Sequence, residues 1–275
     1  MKIALIQMNS TDDRAANLRQ ATALIERAVA EDRPDWVLLP ECFDFLGGTR
    51  DTKLAAAEYL SDGEAYRAMR DLAARHGTFI HAGSMLERLP GEDRIGNTTV
   101  AFDRKGREVA RYRKIHLFDI TAPDGTEYRE SASFKPGHAV VTYDCEGVTV
   151  GCSICYDIRF PFLYQALMDR GAALIAVPAA FTMQTGKDHW QVLLRARAIE
   201  TECYVAAAAQ TGTFTQGGAT RATYGHSMLV DPWGLVTARA SDGIGVAAGR
   251  VEPERVGKVR AMIPVARHRV EMPRG

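Results

Sequence analysis

Short apolar runs alternate with amphipathic stretches and Gly/Pro turns along the 275-residue chain. Residues 2–8 form the first apolar run and predict a strand. Ala16, Leu18, Ala21, Leu24, Ile25, Ala28 and Val29 then recur at helical spacing, which predicts a helix over 14–30. Trp36 to Pro40 reads as a second buried strand that ends at Glu41. Tyr66, Met69, Leu72 and Ala73 share one face of a predicted helix over 64–76. A strand follows at 78–84, then a hairpin of 97–103 and 108–113 around Arg104-Lys105-Gly106. Residues 120–137 read as irregular, broken by Pro123, Asp124-Gly125 and Pro136-Gly137. Such long irregular stretches in compact domains are usually functional. Strands at 139–145 and 148–154 flank Glu146-Gly147, a hairpin signal. A helix is predicted from Pro161 to about 170, capped by Gly171. A strand at 173–178, a helix at 187–202 and a strand at 204–210 come next. A Gly/Thr-rich loop over 211–223 leads to strands at 226–230, 235–240 and 244–250. The pattern predicts an α/β fold with mixed sheets and helices outside. No linker divides it, so one domain over 1–275 is expected.

Composition narrows the picture. A chain of this length buries roughly three quarters of its unfolded surface, so its core needs no disulfides. Lys+Arg and Asp+Glu both number 34. A neutral chain without a basic stripe argues against nucleic acid and against an anionic membrane surface as partners. No apolar run reaches ~18 residues, as a membrane span would need. The five cysteines are scattered in apolar strands, which points to reduced thiols and a cytoplasmic location. The chain opens directly on a strand, with no signal-peptide pattern.

The candidate chemistry lies at strand ends. Cys155 stands where the 148–154 strand gives way to a helix start. A sulfur there sits on a rigid element, beside N–H groups free to hold an oxyanion. A lone cysteine is more often a small buried hydrophobe, so its company decides. Glu41 follows Leu38-Leu39-Pro40. A carboxylate at the mouth of an apolar strand is withdrawn from water, as a general base needs, although a solvated residue just past a strand is the plainer reading. Lys114 follows Arg111-Tyr112-Arg113, a run that also fits a solvated basic edge. Turned inward, Lys114 would stabilise an oxyanion and lower the thiol pKa. Cys152 and Cys155 as a redox or metal pair is disfavoured, because strand side chains three apart point to opposite faces and no second pair follows. His189 and His226 read as packing or hydrogen-bonding residues, and no Gly-x-Ser-x-Gly turn supports a serine hydrolase.

Pro40-Glu41, Tyr112-Arg113-Lys114-Ile115-His116-Leu117-Phe118-Asp119 and Cys155-Tyr156-Asp157-Ile158-Arg159-Phe160-Pro161 together resemble the three signatures of the nitrilase superfamily, the carbon–nitrogen hydrolases. Arg195-Ala196-Arg197-Ala198-Ile199-Glu200 and the stretch 225–234 match as well. The resemblance implies a four-layer α-β-β-α sandwich and an amidase that cleaves a non-peptide C–N bond through a cysteine thioester. It implies Cys155 as nucleophile and Glu41 as general base. Lys114 and the backbone N–H of Tyr156 would stabilise the oxyanion. The family carries a second glutamate after the lysine. Glu127 and Glu130 are the candidates here, and Tyr128-Arg129-Glu130-Ser131 fits the family pattern, which selects Glu130. No cofactor or metal is implied. The resemblance also implies a homodimer or larger homo-oligomer, joined through the helices near 162–170 and 187–202.

Within the superfamily the motifs are most similar to the branch acting on ω-amides of 2-oxo acids. There the arginine four after the cysteine, Arg159, is associated with the substrate carboxylate. Read from residues alone, Arg159 could equally pair with Asp157 or a helix end. In the stretch 181–190, Phe181 would pack on the acyl chain and Thr185 would bond the oxo-acid end. Residues 206–210 and 224–228 look most like deaminated glutathione amidases, which release 2-oxoglutarate and Cys-Gly. The alternatives are an ω-amidase on 2-oxoglutaramate or 2-oxosuccinamate, an N-carbamoyl amidase, and a non-catalytic scaffold. The loop 213–220 departs from both amide branches and would shape the entrance.

Overall fold

The computed structural model describes residues 1–270, and the last five residues of the expected 1–275 domain lie outside the described residues. Two sheets carry the architecture. The first has seven strands, with Lys2–Gln7 between Gly245–Arg250, antiparallel, and Trp36–Leu38, parallel. Phe79–His81 continues it in parallel, and Gly96–Phe102 pairs antiparallel with Phe79–His81, Met85–Glu87 and Glu108–Arg113. The second has six strands, with Val148–Cys152, Leu174–Ala179 and Tyr204–Ala209 parallel at its centre.

Strand alternation builds the layers. Ile3, Leu5, Trp36 and Leu38 point into a core shared with Val150, Leu174 and Ala206 of the second sheet. Ala4, Ile6 and Val37 point the other way, onto Leu18, Ile25, Met69 and Leu72 of helices Arg14–Asp32 and Glu64–His76. Leu163, Leu167, Leu194 and Ala198 of helices Pro161–Asp169 and Gln191–Thr201 cover the outer face of the second sheet. Period-two strands feeding opposite faces thus give the expected α-β-β-α order. One polar chain crosses the inter-sheet core: Trp36 Nε1 donates to Tyr143 Oη at 2.7 Å, and Tyr143 Oη meets His81 Nδ1 at 3.1 Å.

Several elements differ from expectation. The predicted 78–84 strand stops at His81, because Gly83 at φ +40° turns the chain toward Met85–Glu87. The 211–223 stretch is a hairpin, Thr211–Gln216 with Ala219–Tyr224, not a loop. Gly217 and Gly218, both at positive φ, make its two-residue turn. Residues 120–137 contain a small hairpin, Asp119–Thr121 with Glu127–Arg129. The 187–202 helix begins earlier, at Met183–Thr185, and passes through a wide π turn at Gly186–Trp190 before Gln191–Thr201. Helices Arg50–Ala56 and Pro253–Met262 were not anticipated; the first is capped by Thr49 and the second has Pro253 at its first turn. All five cysteines are free and buried.

A Cβ at Gly83 would lie 1.9 Å from the Pro40 carbonyl oxygen. Gly83→Ala should cost about 3 kcal/mol in denaturant unfolding, because backbone must move. Gly91→Ala shares the positive φ but has open space around it, and should cost only about 1 kcal/mol. Burial lowers the His81 pKa from its ordinary 6.5 to about 3. His81 therefore contributes stability that is complete above pH ~6.5 and is lost as the unfolded chain takes up a proton on acidification. Between pH 7 and 5, His81→Gln should lose about 2 kcal/mol less stability than wild type.

Candidate active site

Glu41 lies just past the Trp36–Leu38 strand, in a backbone clamp. The Leu39 N–H donates to His81 O at 3.1 Å, and the Phe43 N–H to Ser84 O at 3.1 Å. The Cys42 N–H donates to Ser84 Oγ at 2.9 Å. Lys114 follows the Glu108–Arg113 strand and remains tied to the sheet, its N–H donating to Asn97 O at 2.9 Å. Glu130 opens the turn Glu130–Ala132 after the small hairpin, and the Phe118 N–H donates to its Oε2 at 2.5 Å. Cys155 opens the turn Cys155–Arg159 beyond the Val148–Cys152 strand, with φ at +48°. A non-glycine residue held in this region is strained, and such strain concentrates at functional sites.

Asp157 locks the cysteine turn to the lysine segment. It is fully buried and accepts from Tyr112 Oη at 2.6 Å, the Ile154 N–H at 2.9 Å and the His116 N–H at 3.0 Å. Its Oδ1 also meets His116 Nδ1 at 2.7 Å. Two motifs far apart in sequence are joined through one carboxylate. Asp157 is thus fully engaged without Arg159.

At the centre is a buried charge cluster. Lys114 Nζ donates to Glu41 Oε1 at 2.8 Å and to Glu130 Oε2 at 2.9 Å. Asn97 Nδ2 donates to the same two residues, to Glu41 Oε1 at 2.9 Å and Glu130 Oε1 at 3.2 Å. The Ala180 N–H donates to Glu41 Oε2 at 2.9 Å. Burial opposes the Lys114 charge, but Glu130 and Glu41 outweigh it and hold its pKa well above the lysine norm. Removing Lys114 would leave two neighbouring carboxylates without their shared counter-ion.

The resting state of Cys155 is set by opposing effects. Burial raises its thiol pKa well above normal, and the Glu41 charge raises it further. Lys114 and the Ala180 N–H pull it down but do not prevail. The thiol therefore rests neutral beside a carboxylate able to take its proton. Lys114 does lower the thiol pKa, as its inward position predicts, but burial and Glu41 outweigh it.

A cavity of about 380 Å³ opens onto this cluster, within the size range of small-molecule sites. Glu41, Lys114, Glu130, Cys155, Tyr156, Phe181 and Thr185 all line it. Arg159 does not. Its guanidinium lies 3.3 Å from His189 Nδ1, over the Tyr156 and Phe181 rings. Glu127 is exposed and paired with Arg129 at 2.9 Å. Asn97 escaped sequence reading, although a polar residue opening a strand that is buried throughout was a usable signal. Ala180 contributes only its backbone, which no side-chain pattern reveals.

Comparison with known proteins agrees with this geometry. The chain is 42% identical over 270 residues to a deaminated glutathione amidase of Synechocystis sp. (strain PCC 6803 / GT-S), covering 97% of each chain. Its fold superposes on the crystal structure of the Caenorhabditis elegans NitFhit protein with TM-score 0.90 and 39% identity, covering 98% of this chain and 64% of that one. A glutamate-to-glutamine variant of the amidase from Nesterenkonia sp. AN1, with acrylamide added to its active-site cysteine, matches with TM-score 0.77 and 27% identity, covering 96% of this chain and 98% of that one. The family profile described as carbon-nitrogen hydrolase matches residues 2–261. With the cluster of Glu41, Lys114, Glu130 and Cys155 at the floor of its cavity, the chain belongs to the carbon–nitrogen hydrolase family.

Proposed function

We propose that this protein is a deaminated glutathione amidase, hydrolysing 2-oxoglutaryl-Cys-Gly to 2-oxoglutarate and Cys-Gly. The carrying observation is the buried contact of Lys114 with both Glu41 and Glu130 in the cavity that Cys155 lines. The relatives that bear this name support the substrate.

In the first half-reaction Glu41 takes the Cys155 proton, and the sulfur attacks the amide carbonyl carbon. Lys114 and the Tyr156 N–H stabilise the oxyanion. The C–N bond breaks as Glu41 returns the proton to the leaving amine, which departs as Cys-Gly. A thioester on Cys155 remains. Water then gives a proton to Glu41 and attacks the thioester carbon, and Cys155 leaves with that proton. A neutral resting thiol suits this cycle, since Glu41 must be free to receive a proton at its start. Glu130 holds Lys114 and keeps Glu41 from being the sole counter-ion. Asn97 is a positioning residue that fixes the spacing of the two carboxylates. Phe181 and Thr185 contact the acyl part, and Arg159 backs the wall they form.

The catalytic domain spans 1–275, and the protein works in the cytoplasm as a homodimer or larger homo-oligomer. Exposed Phe162, Val192 and Ile199 on the two outer helices of the second sheet support that association. Among the described residues, no helix is long and apolar enough to cross a membrane.

The substrate is tested by comparing kcat/KM on 2-oxoglutaryl-Cys-Gly and 2-oxoglutaramate. A clear preference for the first, absent in Cys155→Ala, is expected; preference for the second makes the protein an ω-amidase. Glu130→Gln should lose turnover at least about 100-fold with the fold retained, whereas Glu127→Gln should stay near wild type. Turnover near wild type in Glu130→Gln would remove Glu130 from the mechanism. Asn97→Leu should lower kcat about 10- to 100-fold with a smaller change in KM. Equal loss in both parameters would show a disturbed cavity instead.

A further inference from the structure

The cavity is chemically divided. Its lining includes only two acidic side chains, Glu41 and Glu130, both committed to Lys114 at the floor. The remaining basic residues that line it are Arg50, Lys53, Arg129 and Arg221. Arg129 is paired with Glu127. Arg50 is spent on the carbonyl oxygens of Ala132 and Asp93, each at 3.1 Å. Lys53 and Arg221 have no carboxylate partner among the described residues.

Both are held in place by aromatic rings. Lys53 Nζ lies 6.0 Å from the Phe134 ring centroid, and the Arg221 guanidinium 5.6 Å from that of Tyr128. Arg221 has a single side-chain hydrogen bond, 3.4 Å to Thr126 Oγ1, and its buried Nε has no partner. Burial works against the Lys53 charge, with Cys42 and Glu130 partly restoring it. A half-buried cation without a counter-ion gains most from an anionic ligand.

The two cations occupy different walls. Arg221 belongs to the Ala219–Tyr224 strand, which bridges at Thr223 to Thr182 and so adjoins the Phe181–Thr185 wall. Lys53 sits on helix Arg50–Ala56, near Cys42, Glu130 and Phe134. The hairpin carrying Arg221 is pinned to the start of that helical segment: the Gly48 N–H donates to Thr215 O at 2.9 Å, and the Gly217 N–H to Gly48 O at 3.1 Å. Both walls are therefore fixed before any ligand arrives.

We propose that the cavity is built for a dianionic amide, with Arg221 binding the carboxylate of the acyl half and Lys53 binding the carboxylate of the leaving amine. This deepens the proposed function and rests on it for the direction in which the substrate lies. 2-Oxoglutaryl-Cys-Gly carries one carboxylate on each side of the scissile bond; 2-oxoglutaramate carries only the first. Lys53 is thus the residue that separates the two activities.

The test uses the full-length protein, three amides and two variants. The amides are 2-oxoglutaryl-Cys-Gly, its C-terminal glycinamide and 2-oxoglutaramate. Wild type should favour the acid over the glycinamide about tenfold in kcat/KM. Lys53→Met should bring that ratio near one, and Lys53→Arg should restore most of it. Arg221→Gln should raise KM about tenfold for all three and leave the acid-to-glycinamide ratio as in wild type. A wild-type ratio near one, or a ratio that survives in Lys53→Met, would overturn the assignment of Lys53 while the amidase reading stands. A fall in kcat without a rise in KM in Arg221→Gln would overturn that of Arg221. If wild type hydrolyses none of the three, the proposed function fails, and calorimetry on Cys155→Ala with the acid and the glycinamide decides. Tighter binding of the acid, lost on adding Lys53→Met, upholds the subsite; equal binding or none overturns it.

Discussion

Lys114, itself buried, donates to buried Glu41 and to partly buried Glu130 at once. Two carboxylates brought this close repel one another, and a shared ammonium and the Asn97 amide hold them together. Burial first, and the Glu41 carboxylate second, keep the neighbouring Cys155 thiol protonated against the pull of Lys114. Burial and the charges beside it thus set the starting protonation of the proposed nucleophile. It differs from a standing thiolate–cation pair, in which the cation alone would draw off the proton.

The fold serves that cluster by bringing strand ends together. Glu41 and Lys114 hang from the first sheet, Cys155 and Ala180 from the second. Each sheet is fixed on its outer face by helices and on its inner face by the other sheet, so the ends cannot drift independently. Asp157 adds a direct polar link between the two sheets' contributions, and Gly83 lets the chain turn close behind Pro40. The strain at Cys155 persists because these contacts over-determine its turn.

Much of this was legible in the sequence. The helices at 14–30 and 64–76 announced themselves through clean helical spacing of apolar residues, and the central strands through short apolar runs. The motifs around Glu41, Lys114 and Cys155 carried the resemblance, and all three residues meet at one cavity. Less legible features have physical causes. The Thr211–Gln216 hairpin was hidden by weak apolar alternation, although its Gly217-Gly218 turn was a fair signal. The break at Gly83 depends on how closely Pro40 packs, which is a tertiary fact. Arg159 sits in a motif whose resemblance implies a carboxylate contact, yet its guanidinium lies by His189, over the Tyr156 and Phe181 rings, and does not itself line the cavity. The neutral resting thiol was unreadable, because it depends on burial and on neighbouring charges that only folding brings together.

The most direct test of the account is to trap the covalent intermediate. Wild type mixed with 2-oxoglutaryl-Cys-Gly is quenched in acid within the first turnovers, and its peptides are mapped by mass spectrometry. A 2-oxoglutaryl thioester is expected on the peptide holding Cys155 and on none of the peptides holding Cys42, Cys145 or Cys203 alone. Steady turnover with no acyl adduct on Cys155, or an adduct on another cysteine, would contradict it.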